Sequence, residues 1–170
     1  LAAGALTSFI LGMGMTASAC YIFLAIVLAP ALVEVGIDPM AAHLYIFYWG
    51  MVSFITPPVA LGAFVAAGIA GAAPMKVGLS SVLLGSVMYI VPFLFLLNPA
   101  LILHGSAYDV VFSIITAALG VYVAGCALEG YFPGVGDFRR SPLGWPCRVV
   151  MLVGGIAFAM PGGGAHIPYS

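Results

Sequence analysis

The sequence predicts an all-α integral membrane protein, built from a re-entrant helical hairpin, a proline-broken transmembrane helix and further transmembrane helices. Three observations predict it. Hydrophobic residues make up 64% of the chain and charged residues only 5%, with a mean hydropathy of +1.24, which ordinary soluble domains do not approach. A double proline, Pro57-Pro58, lies inside an apolar stretch running from Met40 to Gly68. A glycine-rich run, Gly12-Met13-Gly14-Met15-Thr16, separates two apolar segments near the start of the chain.

Composition also excludes several classes of function. Net charge is -1, from four Lys/Arg against five Asp/Glu, so there is no basic footprint for nucleic acid. Cys20, Cys126 and Cys147 show neither CxxC nor metal spacing and read as small apolar residues. No Ser/His/Asp or Cys/His set has neighbouring polar support, and three scattered histidines make a poor metal site. The chain therefore reads as neither an enzyme nor the holder of a resident cofactor. Its start, Leu-Ala-Ala-Gly, puts no charged region ahead of the apolar run, which is not how a signal peptide begins. The expectation is the C-terminal part of a longer permease.

Residues 1–75 form the first predicted unit, a hairpin over 1–35 and a broken helix over 40–72. Leu1 to Leu11 is too short to cross a bilayer alone, since about 20 residues are needed. Tyr21 to Val35 is again apolar and ends at Glu34 and Gly36-Ile37-Asp38-Pro39. One parse is a single long span. A hairpin uses the residues better, because Gly12 and Gly14 let the backbone turn and approach a solute, while Thr16 and Ser18 can cap the second short helix. Gly12, Gly14, Met15, Thr16 and Ser18 are accordingly candidate binding residues at the hairpin tip.

In the broken helix, Pro57 and Pro58 delete two consecutive backbone donors, and each costs roughly 3 kcal/mol in a helix interior. Pro58 also pushes Pro57 out of the α region, so an extended stretch is expected between two half-helices. Unsatisfied backbone at membrane depth is tolerated only where protein or a water-filled cavity covers it. Two half-helices meeting at a site can hold an ion or an anionic solute with their ends and loosened carbonyls. Ser53, Thr56, Pro57, Pro58 and Ala60 are the candidates here, and the Thr56 hydroxyl is a candidate Na⁺ ligand. Its alternative role is to satisfy a backbone group at the kink. His43, with Tyr45, Tyr48 and Trp49, fits an aromatic interface belt.

Residues 76–131 predict two transmembrane helices, one over 77–97 with a mild interruption at Pro92 and one over 110–128 closed by Glu129. Residues 132–148 read as a cytoplasmic loop, and 149–170 as a short apolar segment with a disordered tail; the apolar part, Val149 to Met160, reads either as a tilted final span begun near Trp145 or as an interfacial segment. Lys76, Arg139, Arg140 and Arg148 are the only cations, and cytoplasmic loops collect cations. That rule places both basic loops inside and the turn from His104 to Asp109 outside.

Three stretches in order resemble the C-terminal half of the large permease subunit of tripartite ATP-independent periplasmic (TRAP) transporters. They are Gly12-Met13-Gly14-Met15-Thr16, Gly36-Ile37-Asp38-Pro39, and Ile55-Thr56-Pro57-Pro58-Val59-Ala60-Leu61 followed by Ala66-Ala67-Gly68-Ile69-Ala70-Gly71. Ala41-Ala42-His43, Asn98-Pro99-Ala100-Leu101 and Ala127-Leu128-Glu129-Gly130-Tyr131 are more similar to the fused permeases of the TAXI branch. The resemblance implies the second inverted repeat of an elevator-type secondary transporter in a bacterial inner membrane. It implies a hairpin tip and a broken helix that hold Na⁺ as coupling ion and a small organic acid as solute. It also implies as partners a periplasmic solute-binding protein, the remainder of the permease chain and the lipid bilayer. One departure stands out: family members commonly carry proline and threonine after Gly-Met-Gly-Met, whereas Thr16-Ala17-Ser18 follows here. Rival readings are a structural or channel-type membrane subunit, in which the prolines only kink helices, and a membrane-embedded enzyme.

Overall fold

A computed structural model describes residues 1–134, 136–137 and 144–160. Arg139, Arg140, most of the loop around them and the expected tail over 161–170 lie outside the described residues. The chain divides into two compact units, Leu1–Leu96 and a second drawn from 97–160.

In the first unit α1 (Ala2–Gly12) and α2 (Ala17–Val27) are the arms of the predicted hairpin. Thr16 caps α2, its side chain accepting from Ala19 N at 3.4 Å. A short α3 (Ala29–Glu34) continues from α2 after a break at Leu28, with Pro30 in its first turn, where a missing N–H costs nothing. Asp38 then starts α4 (Pro39–Val52), its Oδ1 accepting from Met40 N at 2.8 Å and Ala41 N at 3.1 Å. Such a cap is worth about 1 kcal/mol. Helix α4 is the axis of the unit: Tyr45 and Ile46 are fully buried against Ala5 of α1, Cys20 and Leu24 of α2 and Leu32 of α3. The Tyr45 hydroxyl donates to Leu1 O at 2.9 Å and ties α4 to the start of α1.

After the double proline come α5 (Leu61–Ala70) and α6 (Pro74–Leu84), then a 3₁₀ turn at Ser86–Tyr89 and α7 (Val91–Leu97). Here the structure departs from the single span expected over 77–97, for which the sequence predicts only a mild interruption at Pro92. The segment bends by 66°, and the break falls at Gly85 rather than at Pro92. Pro92 sits in the first turn of α7, where no intrahelical donor is lost. A Cβ on Gly85 would lie 2.5 Å from Ile55 Cδ1, so the bend brings Gly85 close against the proline-containing turn.

In the second unit a 3₁₀ turn (Pro99–Ile102) precedes α8 (Ala107–Glu129), which Ser106 caps. Helix α8 is the one described helix long and apolar enough to cross a membrane by itself; the bent pair formed by α6 with the chain through Leu97 also qualifies when taken together. Two short antiparallel strands, β1 (Tyr131–Phe132) and β2 (Gly136–Asp137), follow, a small departure from an all-α chain. The helix α9 (Gly144–Ala159) begins inside the region expected to be loop up to residue 148, at the start near Trp145 that one of the two readings of the last apolar segment gave it. It lies antiparallel to α8, since Gly120 meets Gly155 while Ala127 meets Arg148. A Cβ on Gly120 would stand 2.5 Å from Gly155 O, and one on Gly155 2.7 Å from Gly120 O. Small residues permit this approach, and without a hydrophobic force between helices in lipid, such packing is what holds them. Arg148 adds an anchor, Nε donating to Ala127 O at 2.8 Å and Nη2 to Leu128 O at 2.6 Å. These are terminal carbonyls of α8, and a cation there also complements the helix dipole.

Candidate functional site

The hairpin and the proline break meet along α4. A Cβ built on Gly12 would fall 2.8 Å from Gly50 O and 3.1 Å from Ser53 Oγ, and one on Gly50 would fall 2.8 Å from Cys20 Sγ. The two arms of the hairpin thus straddle Gly50. Ser53 is 2% exposed, and its hydroxyl donates to Gly50 O at 2.6 Å. Gly12 and Ser53, chosen from separate stretches of sequence, therefore sit side by side. The other tip residues behave differently. Gly14 has a φ of +83° and would meet nothing within 4 Å on gaining a Cβ, so it serves the turn rather than a close approach. Thr16 and Ser18 are exposed, and Met15 packs against the core around α4.

At the break itself the expected extended stretch is instead a compact run of turns. Phe54 N, Ile55 N and Thr56 N donate to Met51 O, Val52 O and Ser53 O, Ala60 N to Thr56 O, and Gly62 N to Phe54 O at 3.0 Å. Three-residue turns use donors that precede the prolines, so the chain turns while most of its polar backbone stays paired. Thr56 Oγ1 donates to Val52 O at 2.8 Å and lies 2.6 Å from Tyr89 Oη. A hydroxyl has one proton; with that proton on Val52 O, Tyr89 is the donor to Thr56, and one Thr56 lone pair remains. Pro57 lies against α6, where a Cβ on Gly78 would come within 2.9 Å of Pro57 Cγ, and Pro58 is exposed. Ala60 is fully buried and caps α5 with φ 32° and ψ 49°, a left-handed conformation costing a non-glycine residue roughly 1–2 kcal/mol.

Sequence reasoning missed Gly50, Gly78, Gly85 and Tyr89. Gly50 carried a faint signal, a helix glycine three residues before Ser53. For Tyr89 the sequence offered only a phenol inside an apolar run. Tyr89 also edges a groove of about 310 Å³ lined by Ala2, Ala5, Leu6, Phe9, Trp49 and Phe93. Trp49 packs edge-on to Tyr89 at 6.0 Å, and its Nε1 is buried with no hydrogen-bond partner. His43, expected in an aromatic belt, bonds through Nδ1 with the Tyr21 hydroxyl at 3.1 Å and so links α4 to α2.

The electrostatics of the break follow from its helices. Helix α4 presents the negative end of its dipole and α5 the positive end. Among the described residues no group of three or more His, Cys, Asp or Glu could hold a metal ion.

The sequence profile of the DctM component of tripartite ATP-independent periplasmic transporters matches residues 1–110. That range includes the hairpin, the proline break and the bend carrying Tyr89, and stops at the start of α8. No curated protein and no solved structure matches the chain. With its glycine hairpin and broken helix inside the matched range, the chain belongs to the DctM family, the large membrane permease component of TRAP transporters.

Proposed function

We propose that the chain is the second inverted repeat of a TRAP-type permease of the fused TAXI branch, working by an elevator mechanism in a bacterial inner membrane. It imports a small organic acid, driven by Na⁺ and supplied by a periplasmic solute-binding protein. The observation that carries this reading is the junction of Gly12 with Gly50 and Ser53, which sets the end of one hairpin arm beside the break at Thr56. The C-terminal end of α4 favours Na⁺ and the N-terminal end of α5 favours a carboxylate. Thr56 retains a lone pair for the ion beyond its bonds to Val52 and Tyr89.

A second reading has its own observation. The Thr56 proton on Val52 O is what a residue confined to relieving a kink would show, as in a structural or channel-type subunit. Uptake of a labelled organic acid by the complete permease with its binding protein, in vesicles with and without a Na⁺ gradient, separates the two. Accumulation that needs the gradient, with a raised Na⁺ requirement in Thr56→Ala, is the expected result. Equal uptake without any Na⁺ or proton gradient would overturn the coupling.

A further inference from the structure

The second unit holds a cleft of about 570 Å³, lined by Asn98, Tyr108, Asp109, Ser113 and Thr116 on one side and by Phe158 near the end of α9 on the other. Nothing in the transport reading uses it, since it lies around the first turns of α8 and away from the double proline in sequence. Its lining is polar at one end of the longest apolar helix, and two features give it a chemical sense.

The first is charge. Asp109 is the one ionisable group among the lining residues apart from the Tyr108 phenol. Its Oδ2 accepts from the Ser106 hydroxyl at 2.6 Å, and a carboxylate has about four acceptor positions, so capacity for a cation remains. Tyr108 and Phe112 stack beside it with ring centroids 6.1 Å apart and planes 10° from parallel. Both rings are largely exposed, and an aromatic face next to a carboxylate is a site for an ammonium group. The second feature is the opposite character deeper in the cleft. Asn98 is 4% exposed and its Oδ1 is committed to Ala100 N at 3.1 Å, which leaves the Nδ2 donor for a ligand. The Ser113 hydroxyl is a further donor. One ligand class carries a cation beside hydrogen-bond acceptors and arrives at the mouth of a membrane helix: a phospholipid with an ammonium headgroup.

The surroundings agree. Phe112, Ile115 and Leu119 of α8 and Val153 and Phe158 of α9 are all more than 49% exposed, so apolar surface continues down the helix pair from the polar cleft. Acyl chains suit that surface, while the headgroup stays level with Asp109 at the helix end.

We propose that this cleft is a binding site for a phosphatidylethanolamine headgroup, with Asp109 and the Tyr108–Phe112 pair taking the ammonium and Asn98 and Ser113 donating to the phosphate or ester oxygens. The site anchors the α8–α9 pair to one leaflet.

Native mass spectrometry of the complete permease, released from detergent with equimolar dioleoyl phosphatidylethanolamine and dioleoyl phosphatidylglycerol, tests this. The wild type should retain the ethanolamine lipid over the glycerol lipid by about tenfold, the ratio expected for one favourable ionic contact. Asp109→Asn should bring the two to near equality, and Asp109→Glu should keep the preference. Ser106 remains to cap α8 in both variants, and an unchanged far-ultraviolet circular dichroism spectrum checks that they fold. Soluble phosphoethanolamine should not displace the lipid, because it lacks the acyl chains; displacement at equal concentration would mean a site for free amines and overturn the lipid assignment. Equal retention of both lipids by the wild type, or an ethanolamine preference that survives Asp109→Asn, would overturn the site.

Discussion

Gly12 and Gly50 touch backbone to backbone: the place where Gly12 would carry a Cβ is 2.8 Å from Gly50 O. A real Cβ does not approach a carbonyl oxygen so closely, so α1 or α4 must move to accept one. Overpacking of this kind costs about 1–3 kcal/mol. At Gly14 the cost has a different origin, because space is open and only the positive φ resists a side chain. We expect Gly12→Ala to lower the melting temperature of the detergent-solubilised permease more than Gly14→Ala does. The reverse order would mean that the hairpin arm is not seated on Gly50.

Thr56 and Tyr89 are predicted to act together. Their hydrogen bond joins the break to the bend at Gly85, and a net hydrogen bond contributes about 1 kcal/mol. Stabilities of Thr56→Val, Tyr89→Phe and the double variant should therefore be non-additive by roughly that amount, whereas independent sites add to within about 0.5 kcal/mol. Strict additivity would mean that the two hydroxyls do not share a bond in the folded permease.

Ala60 offers a sharper contrast. Relief of its left-handed backbone is worth roughly 1–2 kcal/mol, and removal of its buried methyl costs about 0.8 kcal/mol. Ala60→Gly should leave stability within about 1 kcal/mol of the wild type. Ala60→Val, β-branched at the same backbone angles, should destabilise by more than 2 kcal/mol on the scale of overpacking and strain combined. A permease that tolerates valine as well as glycine would contradict the conformation found at this position.

Arg148 should matter through the end of α8. Charged donors to carbonyls contribute about 1.5–3 kcal/mol each, so Arg148→Met, which keeps the apolar stem, should speed amide hydrogen exchange around Gly130 and the last turn of α8. Exchange in α4, in the other unit, should stay as it was. If the last turn of α8 is equally protected in the variant, the guanidinium does not cap it in the membrane.

Topology can be read with an impermeant thiol reagent in a background lacking Cys20, Cys126 and Cys147. Ser106 caps α8, so Ala107, exposed and uncommitted in its side chain, is the better probe of that end. Ala107→Cys should label from outside the cell and Trp145→Cys only after permeabilisation, as cation placement predicts. Ser141, a position of the expected loop on that side, lies outside the described residues. Opposite labelling would invert the proposed orientation.

Much of the local structure follows from the sequence alone. Proline and glycine act on the backbone wherever they stand, so the turn over Gly12 to Thr16 and the interruption at Pro57-Pro58 could be placed without neighbours, as could the Thr16 cap of α2; the cap at Asp38 was not foreseen. Composition likewise placed the chain in a membrane, because transfer free energies sum over residues regardless of fold. Tertiary structure decided what those breaks touch. Gly12 and Gly14 are alike in sequence, yet one is pressed on Gly50 and the other only turns the chain. The bend at Gly85 instead of Pro92, the Tyr89 hydroxyl on Thr56 and Arg148 on the carbonyls of α8 all depend on segments distant along the chain. The start of α9 near Trp145 was one of two readings the sequence left open, because Gly144 and Pro146 also read as loop. Close approach, pairing and capping across such distances are relations between two places, and a sequence states only one place at a time.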